Sequence, residues 1–239
     1  ARPSTDGRLL DVGSGTGGLS SALLNAVAGA RVVGVEPAHD FVSHCRDSIR
    51  DPRARFMVGD AQALPFADNG FDGALALLIL QELTEPRLAV HEMRRVTRPG
   101  GVVCTSQWDF GRGMPMLALL WDAVREFTGS AAALRAAEAI LNVAYPAGPE
   151  LRALWQDCGL AKIEVERHEI DMTFKNFDDF WRPFLGNASP SSSFATKLDS
   201  GERSAVENRL RQRIFGDEDD GPFSLTAQAW AVRGEVPAQ

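Results

Sequence analysis

From Arg8 to Gln107 the sequence alternates short β-rich runs with stretches of helical spacing, the pattern of a parallel sheet covered by helices. Arg8–Val12 predicts a first strand, and Leu19, Leu23 and Val27 share a helical face after it. Arg31–Glu36 predicts a second strand closed by Pro37, followed by a helical stretch to Arg50. Ala54–Gly59 and Phe71–Leu77 predict the third and fourth strands. Pro86 suits a first helical position, and Ala89, Met93 and Val96 share a face. Pro99-Gly100-Gly101 is expected to stop that helix before a fifth strand, Val102–Gln107.

The pattern then changes. Met114–Val143 is rich in Ala and Leu without a β-branched run and predicts an inserted helical segment. Helix signals return at Pro149, with Leu151, Leu154, Trp155 and Cys158 on one stripe and Gly159 as the stop. Ala161–Phe174 predicts a long strand. A serine-rich connection (Ala188 to Ser193), a charged helix (Glu202–Phe215) and an acidic turn (Asp217 to Gly221) lead to a last alternating strand, Ser224–Arg233. Seven strands result, the last two most easily paired as antiparallel neighbours at one edge. A chain of 239 residues fits one α/β domain with insertions or, less easily, two small ones.

Lys and Arg number 25 against 32 Asp and Glu, a net charge of −7, the wrong sign for gripping phosphate backbones, so nucleic acid is not the expected partner. Cys45, Cys104 and Cys158 form no Cys-x-x-Cys pair, so neither a disulfide framework nor a zinc site is signalled, and no metal is expected. A reducing cytoplasm is the expected compartment. The longest apolar run, Ala74 to Leu80, is far short of the ~20 residues that span a bilayer. The chain opens at Ala1, a few residues before the first strand, which leads us to expect that upstream residues are missing.

The stretch Leu9-Leu10-Asp11-Val12-Gly13-Ser14-Gly15-Thr16-Gly17-Gly18 places a glycine-rich turn between a strand and its helix, where a nucleotide can lie against bare backbone. Gly13, Gly15 and Gly18 satisfy G-x-G-x-x-G, a weak match alone, since glycines also serve plain tight turns. Glu36 ends the second strand, where a carboxylate can accept both hydroxyls of a ribose. Two cofactors compete for such a site, NAD(P) and S-adenosylmethionine (SAM). A pyrophosphate wants N–H donors and no carboxylate nearby, yet Asp11 stands two residues before Gly13. SAM carries an ammonium and a sulfonium, which an acid favours. Asp60, at the end of the third strand, could accept from an adenine amino group.

LLDVGSGTG, VVGVEP, VGDAQALPFADNGFD and RRVTRPGG, in this order and at these spacings, resemble motifs of the class I SAM-dependent methyltransferases. They are nearest the type-11 group that includes ubiquinone and menaquinone biosynthesis enzymes. The resemblance covers roughly residues 8 to 108; WRPFLGN and AQAWAVRG are a weaker match. It implies a doubly wound, Rossmann-like α/β sheet in the order 3-2-1-4-5-7-6 with the last strand antiparallel. Residues 1–109 would form the cofactor-binding half, and segments 110–145 and 175–200 a cap. It also implies that Asp11, Gly13, Ser14, Gly15 and Gly17 cradle the methionine end of SAM and that Glu36 binds the ribose. Pro37 and Ala38 would flank the adenine, Asp60 would take its amino group, Ala61 would pack on the ring, and Leu77 and Leu78 would offer backbone. Two departures stand out: the family's helix before the first strand is not in the chain, and the turn after the fourth strand, Leu77-Leu78-Ile79-Leu80-Gln81, is apolar where a polar or aromatic residue is usual.

Methyl transfer needs positioning in a dry pocket, and a general base is optional. Gln81 is the only polar candidate on the turn after the fourth strand, and Asp109, after Trp108, could orient an amine or take a proton, although a turn cap accounts for it equally well. Tyr145, the only tyrosine, has the setting of an ordinary loop, and His39 that of a helix start. His91 with Glu92 is too small a set for a metal, and His44 and His168 stand alone. Phe177, Phe180, Trp181 and Phe184 read as core, with a substrate wall as the minority alternative. The expected activity is SAM-dependent methylation of a small molecule, with a homodimer left open. An NAD(P)-dependent oxidoreductase and a SAM-binding protein without turnover are the rivals.

Overall fold

The computed structural model describes residues 7–110, 113–127, 147–186 and 198–238. Tyr145, the serine-rich connection at 188–193, and residues 128–143 of the helical insertion lie outside them. The described chain contains β1 (Arg8–Val12), α1 (Gly18–Ala26), β2 (Arg31–Glu36), α2 (His39–Ser48), β3 (Ala54–Val58) and β4 (Phe71–Leu77). A 3₁₀ turn (Leu80–Glu82), α3 (Pro86–Val96), β5 (Thr97–Trp108) and α4 (Pro115–Phe127) follow. The remainder is α5 (Gly148–Asp157), β6 (Ala161–Phe174), α6 (Phe177–Trp181), α7 (Ser200–Phe215) and β7 (Phe223–Glu235).

The seven strands form one sheet in the order β3-β2-β1-β4-β5-β7-β6. β3, β2, β1, β4 and β5 are parallel neighbours. β7 runs against β5, since Gly100 donates to the Val236 carbonyl while Asp109 donates to that of Gln228. β6 pairs with β7 antiparallel in constant register, marked by Lys162–Glu235, Glu164–Arg233, Thr226–Asp171 and Thr173–Ser224 side-chain bonds. Chain order reverses between β1 and β4, so the carboxyl ends of those two strands flank the crevice where doubly wound sheets bind ligands.

The described residues cluster into two compact units. The first holds residues up to 107, 147–167 and from 230 on. Its central strands are apolar on both faces, as strands covered by helices must be: Leu9, Leu10 and Val12 of β1 and Ala74 and Ala76 of β4 are buried. α1 buries Ser20 and Leu24, while the expected Leu19, Leu23 and Val27 stripe is half-buried, Leu23 packing against the core. Hydrophobic spacing does not reveal Ser20, which is buried through a hydrogen bond. α3 ends at Val96, earlier than the expected Pro99-Gly100-Gly101 stop, with the Thr97 hydroxyl donating to the Met93 carbonyl. Thr97 pairs with Phe71 and Val102 with Gly73, so Pro99-Gly100-Gly101 is an irregularity within β5 and not its boundary.

The second unit holds 108–146 and 168–229. Among its described residues α4, α6 and α7 enclose a core of Leu117, Leu120, Trp121, Val124, Val206 and Leu210. Phe174, Phe177, Phe180, Trp181 and Phe184 belong to that core, with Phe174 and Phe180 meeting edge to face at 5.3 Å. The aromatic cluster is therefore packing, as the majority reading of its spacing has it. Asp199 and Glu202 close a reciprocal capping box at the start of α7.

In the first unit Trp155 of α5 is fully buried and donates Nε1–H to the Val103 carbonyl at 3.2 Å. A Cβ on Gly234 would come within 2.8 Å of the indole, so this glycine makes room for it. Trp155→Ala should destabilise the fold by ~3–5 kcal/mol, read by urea unfolding; a loss under ~1 kcal/mol would mean that the indole is not a core element.

Candidate functional site

Between β1 and α1 the chain turns through Gly13, Gly15 and Gly17, all at positive φ (72°, 50° and 87°). The Gly13 and Ser14 N–H groups both donate to the Val35 carbonyl, at 2.8 and 3.0 Å, fastening the turn to the end of β2. A Cβ on Gly13 would stand 2.4 Å from the Ile79 side chain, so the turn after β1 and the turn after β4 touch. A Cβ on Gly15 would meet nothing within 4 Å, so the backbone there faces open space. The third glycine in the left-handed conformation is Gly17 and not Gly18, which opens α1.

Glu36 ends β2 and is buried, with Oε2 accepting the Gly15 N–H at 3.0 Å and Oε1 the Ala38 N–H at 3.1 Å. Each oxygen keeps a second lone pair for another donor. Pro37 beside it is exposed.

Asp11 is fully buried beneath the turn. The Ser20 hydroxyl donates to its Oδ2 at 2.6 Å, while Oδ1 and the buried Ser14 hydroxyl have no hydrogen-bond partner among the described residues. Burial pushes the Asp11 carboxyl up from an ordinary 3.8 to about 6, against the Ser20 hydrogen bonds; the nearby Glu36 charge adds to the rise. Ser20 is a site residue that sequence reasoning missed. The available signal was Asp11 itself, since a buried strand-end carboxylate requires a donor from the helix that follows.

At the end of β3, Asp60 is exposed and its Oδ1 accepts the Gln62 N–H at 2.8 Å, while Ala61 is buried. Arg95 holds the following loop through the Leu64 and Phe66 carbonyls, and Glu92, paired with Arg95, accepts the Leu64 N–H. Glu92 is thus a structural anchor, and no group of three or more His, Cys, Asp and Glu placed to hold a metal occurs among the described residues.

After β4, Leu77 is exposed, and Leu78 adopts φ +60°, a conformation costing a non-glycine residue roughly 1–2 kcal/mol. The Leu78 N–H donates to the Ser106 carbonyl at 2.8 Å, and its own carbonyl accepts from Gln81 Nε2 at 2.6 Å. The Leu78 N–H is therefore engaged, which narrows the backbone this residue can offer.

The structure thus brings Asp11, Gly13, Ser14, Gly15, Gly17 and Glu36 together, with Leu78 and Gln81 joined to them through Ile79. Asp60 and Ala61 follow Gly59, whose N–H donates to the Glu36 carbonyl. Asp109 belongs to the second unit, where it is buried and closes a turn by accepting the Gly113 N–H. His39 opens α2, exposed, with Nδ1 3.4 Å from the Ser43 hydroxyl.

Residues 10–105 match the family described as "Methyltransferase domain". A demethylmenaquinone methyltransferase of Paenarthrobacter aurescens is 32% identical over 209 residues, covering 87% of this chain and 76% of that protein. The chain spans about two fifths of the length of several other curated methyltransferases it matches. The solved YcgJ protein of Bacillus subtilis covers the whole chain with a TM-score of 0.64 at 15% identity, 95% of its own length being matched, a likeness of fold. Phosphoethanolamine N-methyltransferase 2 of Haemonchus contortus, solved with S-adenosyl-L-methionine, gives a TM-score of 0.57 at 17% identity over 97% of this chain and 49% of its own. No helix among the described residues is long and apolar enough to cross a membrane.

The raised Asp11 carboxyl sets a pH dependence. The folded chain binds an extra proton between pH 3.8 and about 6, so this group's stability contribution is present below that window and lost as pH rises through it. Asp11→Asn keeps an acceptor for Ser20 and should be more stable than the wild type at pH 7.5 by ~1–3 kcal/mol, the difference closing near pH 4. Urea unfolding at both pH values checks this; a variant no more stable at pH 7.5 would show that the buried carboxylate carries no penalty.

Proposed function

The chain belongs to the class I SAM-dependent methyltransferases, and from that membership we propose that it transfers a methyl group from SAM to a small-molecule acceptor. The reading is carried by one juxtaposition: a glycine turn open over Gly15, a strand-end Glu36 bound to that same residue, and a buried acid whose Oδ1 has no partner among the described residues. A pyrophosphate at this turn would face the Asp11 carboxylate, which disfavours a dinucleotide. SAM's ammonium and sulfonium are favoured by the same charge.

The residues present fit SAM. In this reading Gly13, Ser14, Gly15 and Gly17 supply the backbone cradle for its methionine end, with Asp11 setting the negative potential beneath. Glu36 accepts the ribose hydroxyls with its remaining lone pairs, Asp60 takes the adenine amino group, and Pro37, Ala38 and Ala61 bound the ring. Leu77 and Leu78 bound the methionyl and ribose portion. SAM supplies a sulfonium-bound methyl for in-line displacement, leaving S-adenosylhomocysteine. The chain's own part is to hold the two reactants in line and to exclude water, which the apolar Leu77–Leu80 turn favours. Segments 110–145 and 175–200 are proposed to select the acceptor.

Glu36→Ala removes two charge-assisted acceptors and should weaken SAM binding at least ~10-fold by calorimetry. Unchanged affinity would sink the role of Glu36, and tight NADH binding with no SAM binding would sink the reading itself.

Chemistry by positioning also predicts that no single acid dominates the rate. Asp109→Asn should keep turnover within ~10-fold of the wild type. A fall of ~10²-fold or more, with SAM affinity and folding intact, would instead make Asp109 the general base.

A further inference from the structure

We infer that Gln81 is a positioning residue: by donating its side-chain amide to the Leu78 carbonyl it fixes the turn after β4 against the glycine-rich turn and so sets the affinity for SAM. The inference rests on the reading of this edge as a SAM site.

Leu78 holds a left-handed backbone conformation, at φ +60°, that leucine adopts only where its surroundings impose it. Two hydrogen bonds impose it here, one on each side of the residue. Its N–H donates to the Ser106 carbonyl of β5, and its carbonyl accepts from Gln81 Nε2 at 2.6 Å. The orientation of the Gln81 amide is settled by this contact, because an oxygen so close to a carbonyl oxygen would be repelled. Its Oε1 is therefore turned elsewhere, and it is buried with no donor among the described residues. A side chain needed only to fill space could be leucine and would leave no buried acceptor orphaned. The contact to Leu78 is what requires a glutamine.

That contact is transmitted toward the cofactor edge by packing. Leu80, next to Gln81, is fully buried and anchors the 3₁₀ turn from which Gln81 reaches back. Ile79 follows Leu78 and lies so close over Gly13 that no Cβ would fit between them. Gly13 is tied to Val35, and Gly15 to Glu36. Releasing Leu78 would therefore free Ile79 to shift against the glycine turn, although Gln81 itself is not among the residues assigned to SAM.

Gln81→Glu tests this, since it keeps the shape and replaces the donor with an acceptor. As a carboxylate it would repel the Leu78 carbonyl, whereas as a protonated carboxyl it would donate to it. Buried beside a carbonyl, this carboxyl should titrate above the ordinary glutamate range. SAM affinity is measured by calorimetry at pH 8 and pH 5 and expressed relative to the wild type at the same pH. Asp11 and Glu82, which are common to both proteins, then cancel. We expect the variant to bind ~10-fold or more weakly at pH 8 and to come within ~3-fold of the wild type at pH 5. Equal affinity at pH 8, or the same deficit at both pH values, would overturn the inference. Should Gln81→Glu fail to fold at pH 8, Gln81→Leu carries the test: it removes the donor without charge and should lose affinity equally at both pH values, and unchanged affinity would overturn the inference. A wild type that binds no SAM would overturn the site reading and this inference with it.

Discussion

One carbonyl oxygen organises the site. Val35, the penultimate residue of β2, accepts the N–H groups of both Gly13 and Ser14, so the chain leaving β1 is pinned to its neighbouring strand before it can enter α1. A carbonyl has two lone pairs, and both are used within the fold. With the turn fixed there, Gly15 is carried to Glu36 and its amide finds the carboxylate at 3.0 Å. The same pinning brings Gly13 under Ile79, which only a residue without a Cβ permits. The parallel register places Asp11 opposite Gly34 and Val12 opposite Val35, so the arrangement follows from strand pairing together with glycine geometry.

Beneath this backbone frame lies an electrostatic one. Asp11 is buried with Glu36 close enough to raise its carboxyl further, and among the described residues its carboxylate is engaged by Ser20 rather than by a cation. Such an arrangement disfavours the empty folded state at neutral pH, which a positively charged ligand would relieve. A site of this sign selects against phosphates before any shape is considered. It also explains why α1 buries a serine on its inner face: Ser20 engages one carboxylate oxygen and leaves the other.

Much of the first hundred residues was legible because two periodicities and a few punctuating residues specify them. β1, β2, β4 and β6 fall on the predicted bounds: β1 and β2 are apolar runs closed by Gly13 and Pro37, β4 opens after Gly70, and β6 alternates cleanly after Gly159. The misses have physical causes. Thr97 joins β5 because its hydroxyl caps α3 and its backbone pairs with Phe71, a tertiary pairing that outranks the local Pro-Gly-Gly signal. Gly17, at φ 87°, could carry no Cβ beside Ile49, a contact that no motif spacing encodes. Ser20 was legible only through Asp11, and Gln81 stood out as polar while its partner did not, for a shared reason. A polar side chain reads as surface in a sequence, and only its partner across the fold reveals it as buried.

Those partners also show where the site ends and the scaffold begins. Buried polar groups without hydrogen bonds are rare in folded proteins, because each costs about 1–3 kcal/mol. Arg53 and Arg95, the scaffold's long-reaching cations, direct donors to carbonyls and carboxylates that tie loops to helices. Among the described residues Asp11 Oδ1, the Ser14 hydroxyl and Gln81 Oε1 are unpartnered at the ends of β1 and β4, flanking the point where strand order reverses; Arg94 Nε of α3 and Arg203 Nε of α7 are unpartnered as well, each on a side chain that also reaches other groups or the surface. Packing alone would have replaced three such groups with apolar side chains of similar volume. The three together at the edge where the sheet topology opens a crevice, beside a Gly15 backbone that faces open space, mark that edge as more than a glycine-rich connection.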